Sequence, residues 1–275
     1  MSDNDPRRDA QRRRTQARPV WRDERANDVA DTERDRTERR LFGIHAVAFA
    51  LANPNRVLHE VKLTENAERR LGEALAHRHD IPIDRVSPRI LDKLLGPDTV
   101  HQGALAIVEP LADTTVEALA DRAGSHGPIV VLDQVTDPHN VGAVLRSGAV
   151  FGSAGLIMTQ RHSPPLGGAL AKSASGAVEL VPVARVQNLV RALGSLREAG
   201  VRVLGLDGEA EHGLEALPFS GRIALVFGAE GKGLRHATRQ ACDVIVSVST
   251  SGPIRSLNVS NAAAIALHWA GLARR

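Results

Sequence analysis

Six short apolar runs between residues 129 and 248 of this 275-residue chain constrain its fold more than any other feature. They cover residues 129–132, 155–159, 180–184, 201–206, 223–227 and 244–248. Helical patterns separate them, at about residues 140–151, 167–176, 187–199 and 233–241, and a last helix begins near Asn258. Short apolar strands that alternate with helices predict an α/β fold with a parallel sheet covered on both faces.

The segment before this sheet predicts a small α/β domain over residues 41–110. Helical spacing from Leu41 (LFGIHAVAFALAN) is followed by a strand (VLHEVKLT), an amphipathic helix that ends before Pro82, a short helix (RVSPRILDKLLG) and a strand (QGALAIVEP). Residues 111–128 are polar at both ends and predict a linker with one short helix. The main domain then spans residues 129–275.

Residues 1–40 have a different composition, with 12 arginines, 10 acidic residues and few bulky apolar side chains. Such a segment cannot bury enough surface to offset its ordering entropy, so we expect an Arg-rich disordered tail. Its arginines either contact RNA phosphates or belong to a solvated tail with no fixed role, and both interpretations stay open. The remaining chain has 23 basic and 22 acidic residues, so its net charge alone does not indicate nucleic acid.

Several classes of protein are disfavoured by composition. The single cysteine, Cys242, excludes a disulfide framework and a cysteine-rich zinc site, and it fits a reducing cytoplasmic setting. The histidines lack the paired spacing of a zinc site, so no metal is expected. No stretch approaches the ~20 apolar residues that cross a bilayer, and no apolar segment follows the N-terminal charges as in a secretory signal.

Three polar loops follow predicted strands, where parallel sheets place their ligands. In the first (DQVTDPHNVGAVLRS, residues 133–147), Asn140 lies at or near a predicted helix N-cap and Arg146 follows six residues later. Taken alone, this loop is more simply a capped helix with a surface arginine. The second loop (FGAEGKG, residues 227–233) has three glycines that let a backbone approach a ligand.

The second loop matches neither the phosphate-binding nor the dinucleotide-binding glycine spacing. Glu230 would repel a pyrophosphate, so a cofactor with positive charge suits this loop better. In the third loop, Ser256, Asn258 and Ser260 crowd the start of an alanine-rich helix. These side chains offer more hydrogen-bonding groups than a cap needs, so Asn258 is predicted to be functional.

Together the three loops resemble the three motifs of the SPOUT RNA methyltransferases, in the TrmH/RlmB branch that methylates ribose 2′-hydroxyls. The matching segments are DPHNVGAVLRS (137–147), ALVFGAEGKGLR (224–235) and SLNVSNAAAI (256–265). Upstream, GIHAV (43–47) and HQG (101–103) resemble the small RNA-binding domain of RlmB-type members. The resemblance covers residues 41–275 and leaves out the Arg-rich tail.

This resemblance implies a C-terminal trefoil knot that binds S-adenosylmethionine, and a homodimer that completes the site across its interface. The implied cofactor contacts are Gly228, Val248 and Leu257, and the implied catalytic residues are Asn140, Arg146, Glu230, Ser256 and Asn258. The family usually has Ile-Pro-Met where this chain has Val-Ser-Thr at residues 248–250. We expect contacts through the backbone to survive that difference.

Arginine stays protonated at ordinary pH, which argues against its use as a general base. Our hypothesis is that Arg146 binds the adjacent phosphate and stabilises negative charge on the 2′ oxygen, with Glu230 and Asn258 holding the arginine and the nucleophile. Glu230 is thus expected beside Arg146.

The resemblance implies methylation of a ribose in RNA, with a guanosine of 23S ribosomal RNA as the first candidate. A transfer RNA ribose, or a non-catalytic RNA-binding protein of ribosome assembly, remains the alternative. Methylation of pyrimidine C5 generally needs a cysteine nucleophile, whereas Cys242 reads as a core residue just before a strand. LGLDG at residues 204–208 suggests an oxidoreductase but lacks the glycine fingerprint.

Overall fold

The computed structural model describes residues 32–76, 78, 80–218, 221–253 and 256–272. Contacts divide the chain into a short unit, Met1–Arg34, and a compact unit, Asp35–Arg275. Of the first unit only residues 32–34 are described, and they are helical. Most of the tail for which we predict disorder, residues 1–31, lies outside the described residues. Residues 35–38 are helical as well, so regular structure begins before the predicted boundary at residue 40.

The first sheet has four strands in the order β1-β4-β2-β3. Its strands are β1 (Arg40–Phe42), β2 (Leu58–Leu63), β3 (Ile83–Arg85) and β4 (Ala104–Val108). β4 lies antiparallel to β1 and β2, and β2 lies parallel to β3. The helices of this part are α1 (Ile44–Ala52), α2 (Glu65–Leu75) and α3 (Pro88–Leu95).

Two details of the small domain differ from the prediction. β1 and β3 are only three residues long, too short to show a periodicity. Their apolar spacing predicts that Leu41 and Phe42 belong to a helix, but both residues lie in β1. Gly43 separates the strand from α1 because it adopts φ 95°, a left-handed conformation that glycine reaches without steric cost.

The second sheet has six parallel strands in the order β10-β8-β9-β5-β6-β7, which confirms the predicted α/β fold. Its strands are β5 (Ile129–Asp133), β6 (Gly155–Thr159), β7 (Val183–Val186), β8 (Arg202–Leu206), β9 (Ile223–Gly228) and β10 (Val244–Val246). The helices are α4 (Val116–Arg122), α5 (Pro138–Val150), α6 (Gly168–Ser173), α7 (Leu189–Glu198), α8 (His236–Ala241) and α9 (Val259–Leu272).

Both faces of the second sheet are buried, as a parallel sheet requires. Alternate residues of β5 point to opposite faces: Val130 and Leu132 join the core with α5, α6 and α9, while Ile129 and Val131 join the core with α4 and α7. The first of these cores continues into the small domain. Helix α4 lies within residues 111–128 and buries Leu119 against the second sheet, so this segment also contributes to the core.

The predicted strand at residues 180–184 is displaced in the structure. Residues Ala177–Glu179 form a 3₁₀ turn, Leu180 is exposed, and β7 starts only at Val183. Pro182 has no N–H to donate to a neighbouring strand, although its carbonyl accepts from Leu156 at 2.9 Å. An apolar run is thus divided between a turn and a strand.

A buried ion pair joins the small domain to the second sheet. Arg56, which follows α1, lies 2.6 Å from Glu179, and both side chains are 2% exposed. The Glu179 carboxylate also accepts from Asn53 Nδ2 at 2.7 Å, and Arg56 donates to the Glu109 carbonyl at 2.7 Å. Removing one partner of such a pair leaves an uncompensated buried charge, so these contacts hold the two parts together.

Candidate active site

A cavity of about 480 Å³ lies beyond the carboxyl ends of β8 and β9. The end of β8 contributes residues 206–209, and the loop after β9 contributes residues 227–234. The other lining residues are Val248, Ser256, Leu257, Val259 and Ala262. The cavity therefore brings together the second and third predicted loops, at the edge of the sheet where ligands of α/β proteins bind.

The glycines of the second loop have separate structural tasks. A Cβ at Gly228 would lie 2.1 Å from the carbonyl carbon of Gly233, so only glycine permits this close approach of backbones. The Gly233 N–H donates to the Ala229 carbonyl at 2.9 Å, which closes the loop on itself. Gly231 and Gly233 have φ of 75° and 62°, the left-handed region that glycine favours.

The end of this loop is anchored to the strand beside it. Asp133, the last residue of β5, is fully buried, and its carboxylate accepts from Arg235 Nε at 2.7 Å and from Arg235 N at 3.1 Å. A buried carboxylate is stable only when paired, and these two bonds pair it. Sequence reasoning did not single out either residue, although Asp133 directly follows an apolar run.

Three predicted catalytic residues form a hydrogen-bonded cluster at the rim of the cavity. Asn258 Nδ2 donates to Asn140 Oδ1 at 3.0 Å and also to Glu230 Oε1. Asn140 Nδ2 donates to the same oxygen of Glu230 at 3.4 Å. One carboxylate oxygen thus receives two amide donors, and residues from all three loops meet at one point.

Asn258 also begins the last helix. Its Oδ1 accepts from Ser260 N at 2.9 Å and from Ser260 Oγ at 2.5 Å. The amide oxygen therefore caps α9 while the amide nitrogen faces the other loops. The Asn258 side chain therefore both caps α9 and contributes to the site.

Asn140 lies near the N-cap of α5, as expected, but it is not the capping residue. Asp137 is the N-cap, and its carboxylate accepts from His139 N at 2.9 Å. Pro138 occupies the first turn of the helix, where its missing N–H costs nothing. Asn140 therefore lies inside the helix, which leaves its side chain free for the contacts with Glu230 and Asn258.

Arg146 lies apart from this cluster, contrary to the expected contact with Glu230. Six residues along α5 correspond to a rise of about 9 Å from Asn140. The exposed Arg146 donates to Ser175 Oγ at 3.4 Å, and within the described part of the chain its guanidinium takes part in no ion pair. Glu230 is instead held by the two asparagines.

The predicted cofactor contacts line the cavity. Gly228, Val248 and Leu257 all belong to its wall, as does Ser256, and Leu257 is 40% exposed. Residues that the prediction missed also contribute, since Asp207 and Glu209 follow β8 at the same edge. Asp207 lies within the LGLDG run and Glu209 directly follows it, so this run was the sequence signal for both residues.

Other kinds of site receive no support within the described residues. There, no group of three or more His, Cys, Asp or Glu side chains is arranged to hold a metal ion, and no helix combines the length and apolarity needed to cross a membrane. Burial, with the nearby charges of Asp243 and Asp133, raises the pKa of the Cys242 thiol to about 11. A thiol of this kind is a poor nucleophile.

Two family descriptions match this chain. Residues 127–268 match the SpoU rRNA Methylase family, and residues 40–114 match the RNA 2′-O ribose methyltransferase substrate binding domain. The second match corresponds to the small domain, and the first contains all three loops of the site.

Curated relatives match over most of their length. The chain is 36% identical to a 23S rRNA (guanosine-2′-O-)-methyltransferase RlmB of Pseudomonas putida, over 83% of this chain and 94% of that protein. It is 40% identical to the protein of the same name from Ralstonia nicotianae, over 82% and 92% of the two chains. Among solved structures, the SpoU methyltransferase AviRb from Streptomyces viridochromogenes superposes with a TM-score of 0.71 at 24% identity, covering 86% of this chain and 89% of that one.

Proposed function

Because this chain belongs to the SpoU rRNA methylase family, we propose that it transfers a methyl group from S-adenosylmethionine to the ribose 2′-hydroxyl of a guanosine in 23S ribosomal RNA. The observation that carries the proposal is the meeting of Asn140, Glu230 and Asn258 at the rim of the cavity. The relatives named for this reaction align with more than 90% of their own length.

The cavity suits S-adenosylmethionine in size and in charge. Its volume of about 480 Å³ falls within the range of small-molecule pockets. The lining holds the carboxylates of Asp207, Glu209 and Glu230 and the ammonium group of Lys232, and Asp207 is paired with Arg239. Glu209 and Glu230 leave an excess of negative charge over Lys232, and negative charge favours a cationic ligand. When bound, the cofactor supplies an electrophilic methyl group. Gly228, Val248 and Leu257 would hold it, with Gly228 offering backbone where a side chain has no room.

Each polar residue then has a distinct role. Glu230 Oε1 is occupied by the two asparagines, which leaves its second oxygen to a ligand hydroxyl. Asn140 and Asn258 fix that carboxylate and, with Ser256, orient the ribose. Arg146 supplies a planar cationic guanidinium, which binds the adjacent phosphate and stabilises negative charge on the 2′ oxygen.

The knot belongs to the same proposal. β10 lies at one edge of the sheet, beyond β8, while α9 packs against α5 and β9. The chain has to return past β8 and β9 between residues 247 and 258, beside the loop that follows β9. We expect this return to pass through that loop and to tie the trefoil knot of SPOUT proteins.

We further propose a homodimer through α5 and α9 in the cytoplasm. Ile265 and Leu272 on α9 are 42% and 55% exposed, and Val150 at the end of α5 is 71% exposed. Residues seven apart lie on one face of a helix, so Ile265 and Leu272 form part of an apolar surface without a partner in the described chain. A second copy would cover it and place further residues near the site.

We propose no metal in the reaction.

The test combines purified protein, S-adenosylmethionine with a labelled methyl group, and two RNAs. We expect label in 23S RNA from a strain that lacks the gene, and none in 23S RNA from the parent strain, whose target is already modified. Mapping of 2′-O-methyl groups should place the label on a guanosine ribose. Label confined to transfer RNA would contradict the substrate, and failure to bind S-adenosylmethionine by calorimetry would contradict the activity.

A further inference from the structure

The turn after α6 has an unusual backbone. Ser175 adopts φ 51° although it carries a side chain, and Gly176 follows with φ 93°. A non-glycine residue in the left-handed region is strained, and it persists only where surrounding structure holds it. The turn therefore needs contacts that hold it from outside, and both the small domain and α5 provide them.

The small domain holds the turn from one side. A Cβ at Gly176 would lie 2.2 Å from Cδ2 of Phe49, so the ring of this α1 residue packs directly on the glycine backbone. Three residues further, Glu179 is fixed by the buried pair with Arg56. The turn is thus held between two contacts with the small domain.

Helix α5 holds the turn from the other side. A Cβ at Gly142 would lie 2.6 Å from the Leu170 carbonyl oxygen and 2.7 Å from Ser173 Cβ, so α5 and α6 lie as close as two backbones allow. Arg146 follows Gly142 by four residues and therefore lies on the same face of α5, one turn along. This arrangement brings the turn next to the arginine.

The hydroxyl of Ser175 is the side-chain partner of Arg146. Its Oγ accepts from Arg146 Nη1 at 3.4 Å, which leaves the other N–H groups of the guanidinium available for a ligand. A long exposed side chain samples many rotamers unless a contact restricts it. Within the described residues, the arginine makes no other side-chain hydrogen bond and no ion pair.

We infer that Ser175 is a positioning residue for Arg146, and that the small domain holds the turn that presents it. The inference rests on the proposed function, in which Arg146 contacts the RNA. It gives the small domain a second task besides binding RNA, because Phe49 and Arg56 then determine where the catalytic arginine points.

Replacement of Ser175 by glycine tests the inference, because it removes the hydroxyl and relieves the strained backbone together. We expect Ser175→Gly to lower the turnover number roughly tenfold at saturating RNA, with unchanged affinity for S-adenosylmethionine and a melting temperature no lower than before. Ser175→Asn should recover turnover to within about threefold, since asparagine tolerates the left-handed region and offers an acceptor.

His162→Gly is the matched control, because His162 has φ 70° in an exposed loop, whereas the side-chain hydrogen bond of Arg146 goes to Ser175. It should relieve similar strain and leave turnover unchanged. Unchanged turnover in Ser175→Gly, or equal defects in the glycine and asparagine variants, would overturn the inference.

A second measurement keeps the inference separate from the proposed function. In protein without RNA, the order parameter of the Arg146 Nε–H group should fall in Ser175→Gly and not in His162→Gly. If the protein without substitutions methylates no RNA, the proposed function is contradicted, but the positioning role of Ser175 is not. An unchanged order parameter in Ser175→Gly would contradict the positioning role whatever the activity.

Discussion

The amide nitrogen of Asn258 lies 3.0 Å from the amide oxygen of Asn140, across 118 residues of sequence. The same nitrogen donates to Glu230. Asn140 presents its amide oxygen to Asn258 and its amide nitrogen to Glu230, whereas Asn258 presents only its amide nitrogen to both, so the cluster has a single consistent arrangement of hydrogen bonds. The first and third loops are therefore linked directly, before any ligand is present.

Asn258→Asp should disrupt this cluster with almost no change in shape. It replaces a donor by a carboxylate beside Glu230, and we expect methyl transfer to fall by about a hundredfold or more at pH 8. Two adjacent carboxylates raise the pKa of one of them. A raised pKa in the folded state means that stability is retained at low pH and lost as the pH rises, so the variant should melt closer to the unchanged protein at pH 5 than at pH 8. The exposed Asn55→Asp serves as control, and equal transfer rates in both variants would refute the role of Asn258.

Arg146→Lys separates charge from geometry. Lysine keeps the positive charge but loses the planar fork that binds phosphate through two bonds, so we expect a loss of about a hundredfold in turnover. Affinity for S-adenosylmethionine should stay unchanged. Arg191→Lys on α7 is the control, since Arg191 is exposed on a helix that does not line the cavity. Near-full turnover with unchanged RNA affinity would show that neither phosphate binding nor charge placement by Arg146 is needed.

Gly228→Ala should damage the cofactor site through the backbone. The added Cβ would clash with backbone atoms of Gly233, so the loop must shift. We expect a loss of about 1–3 kcal/mol in the free energy of unfolding and at least about tenfold weaker binding of S-adenosylmethionine by calorimetry. Gly194→Ala is the matched control, because Gly194 lies in α7 with open space where its Cβ would be, and alanine favours a helix. Wild-type binding by Gly228→Ala would contradict this account of the loop.

Ile265→Asp tests the proposed dimer. A carboxylate in the middle of a buried apolar interface is costly, so the variant should sediment as a monomer at concentrations where the unchanged protein is a dimer. Ile90→Asp on α3 is the control, because Ile90 has nearly the same exposure, 45% against 42%, and lies on the small domain. If both variants have the same mass as the unchanged protein, α9 is not the interface.

Cys242 should be dispensable. With a pKa of about 11, only about one thiol in a thousand is ionised at pH 8, so alkylation should be far slower than for a free thiol. Cys242→Ala should keep methyl transfer within about twofold, because a ribose hydroxyl needs no covalent enzyme adduct. Loss of transfer in a folded Cys242→Ala protein would instead indicate a cysteine-dependent reaction on a base.

The large sheet could be predicted because its strands are short apolar runs bounded by polar loops. β7 could not, since its apolar run is divided by a 3₁₀ turn and Pro182. The three loops could be assigned to one site because parallel strands end at the same edge. Which side chains touch within that site could not be predicted. The contact of Arg146 with Ser175 depends on a left-handed turn and on Phe49 of another domain, and neither leaves a local pattern.

The buried pair of Arg56 and Glu179 limits how freely the small domain can be exchanged between relatives. A chimera whose donor domain lacks a matching arginine would leave the Glu179 carboxylate buried without a counter-charge, at a cost of about 3–5 kcal/mol. Transplanting the small domain to alter RNA preference would therefore require the arginine, or replacement of Glu179, as part of the graft. A change of the small domain therefore has to preserve this ion pair if the rest of the protein is to keep its stability.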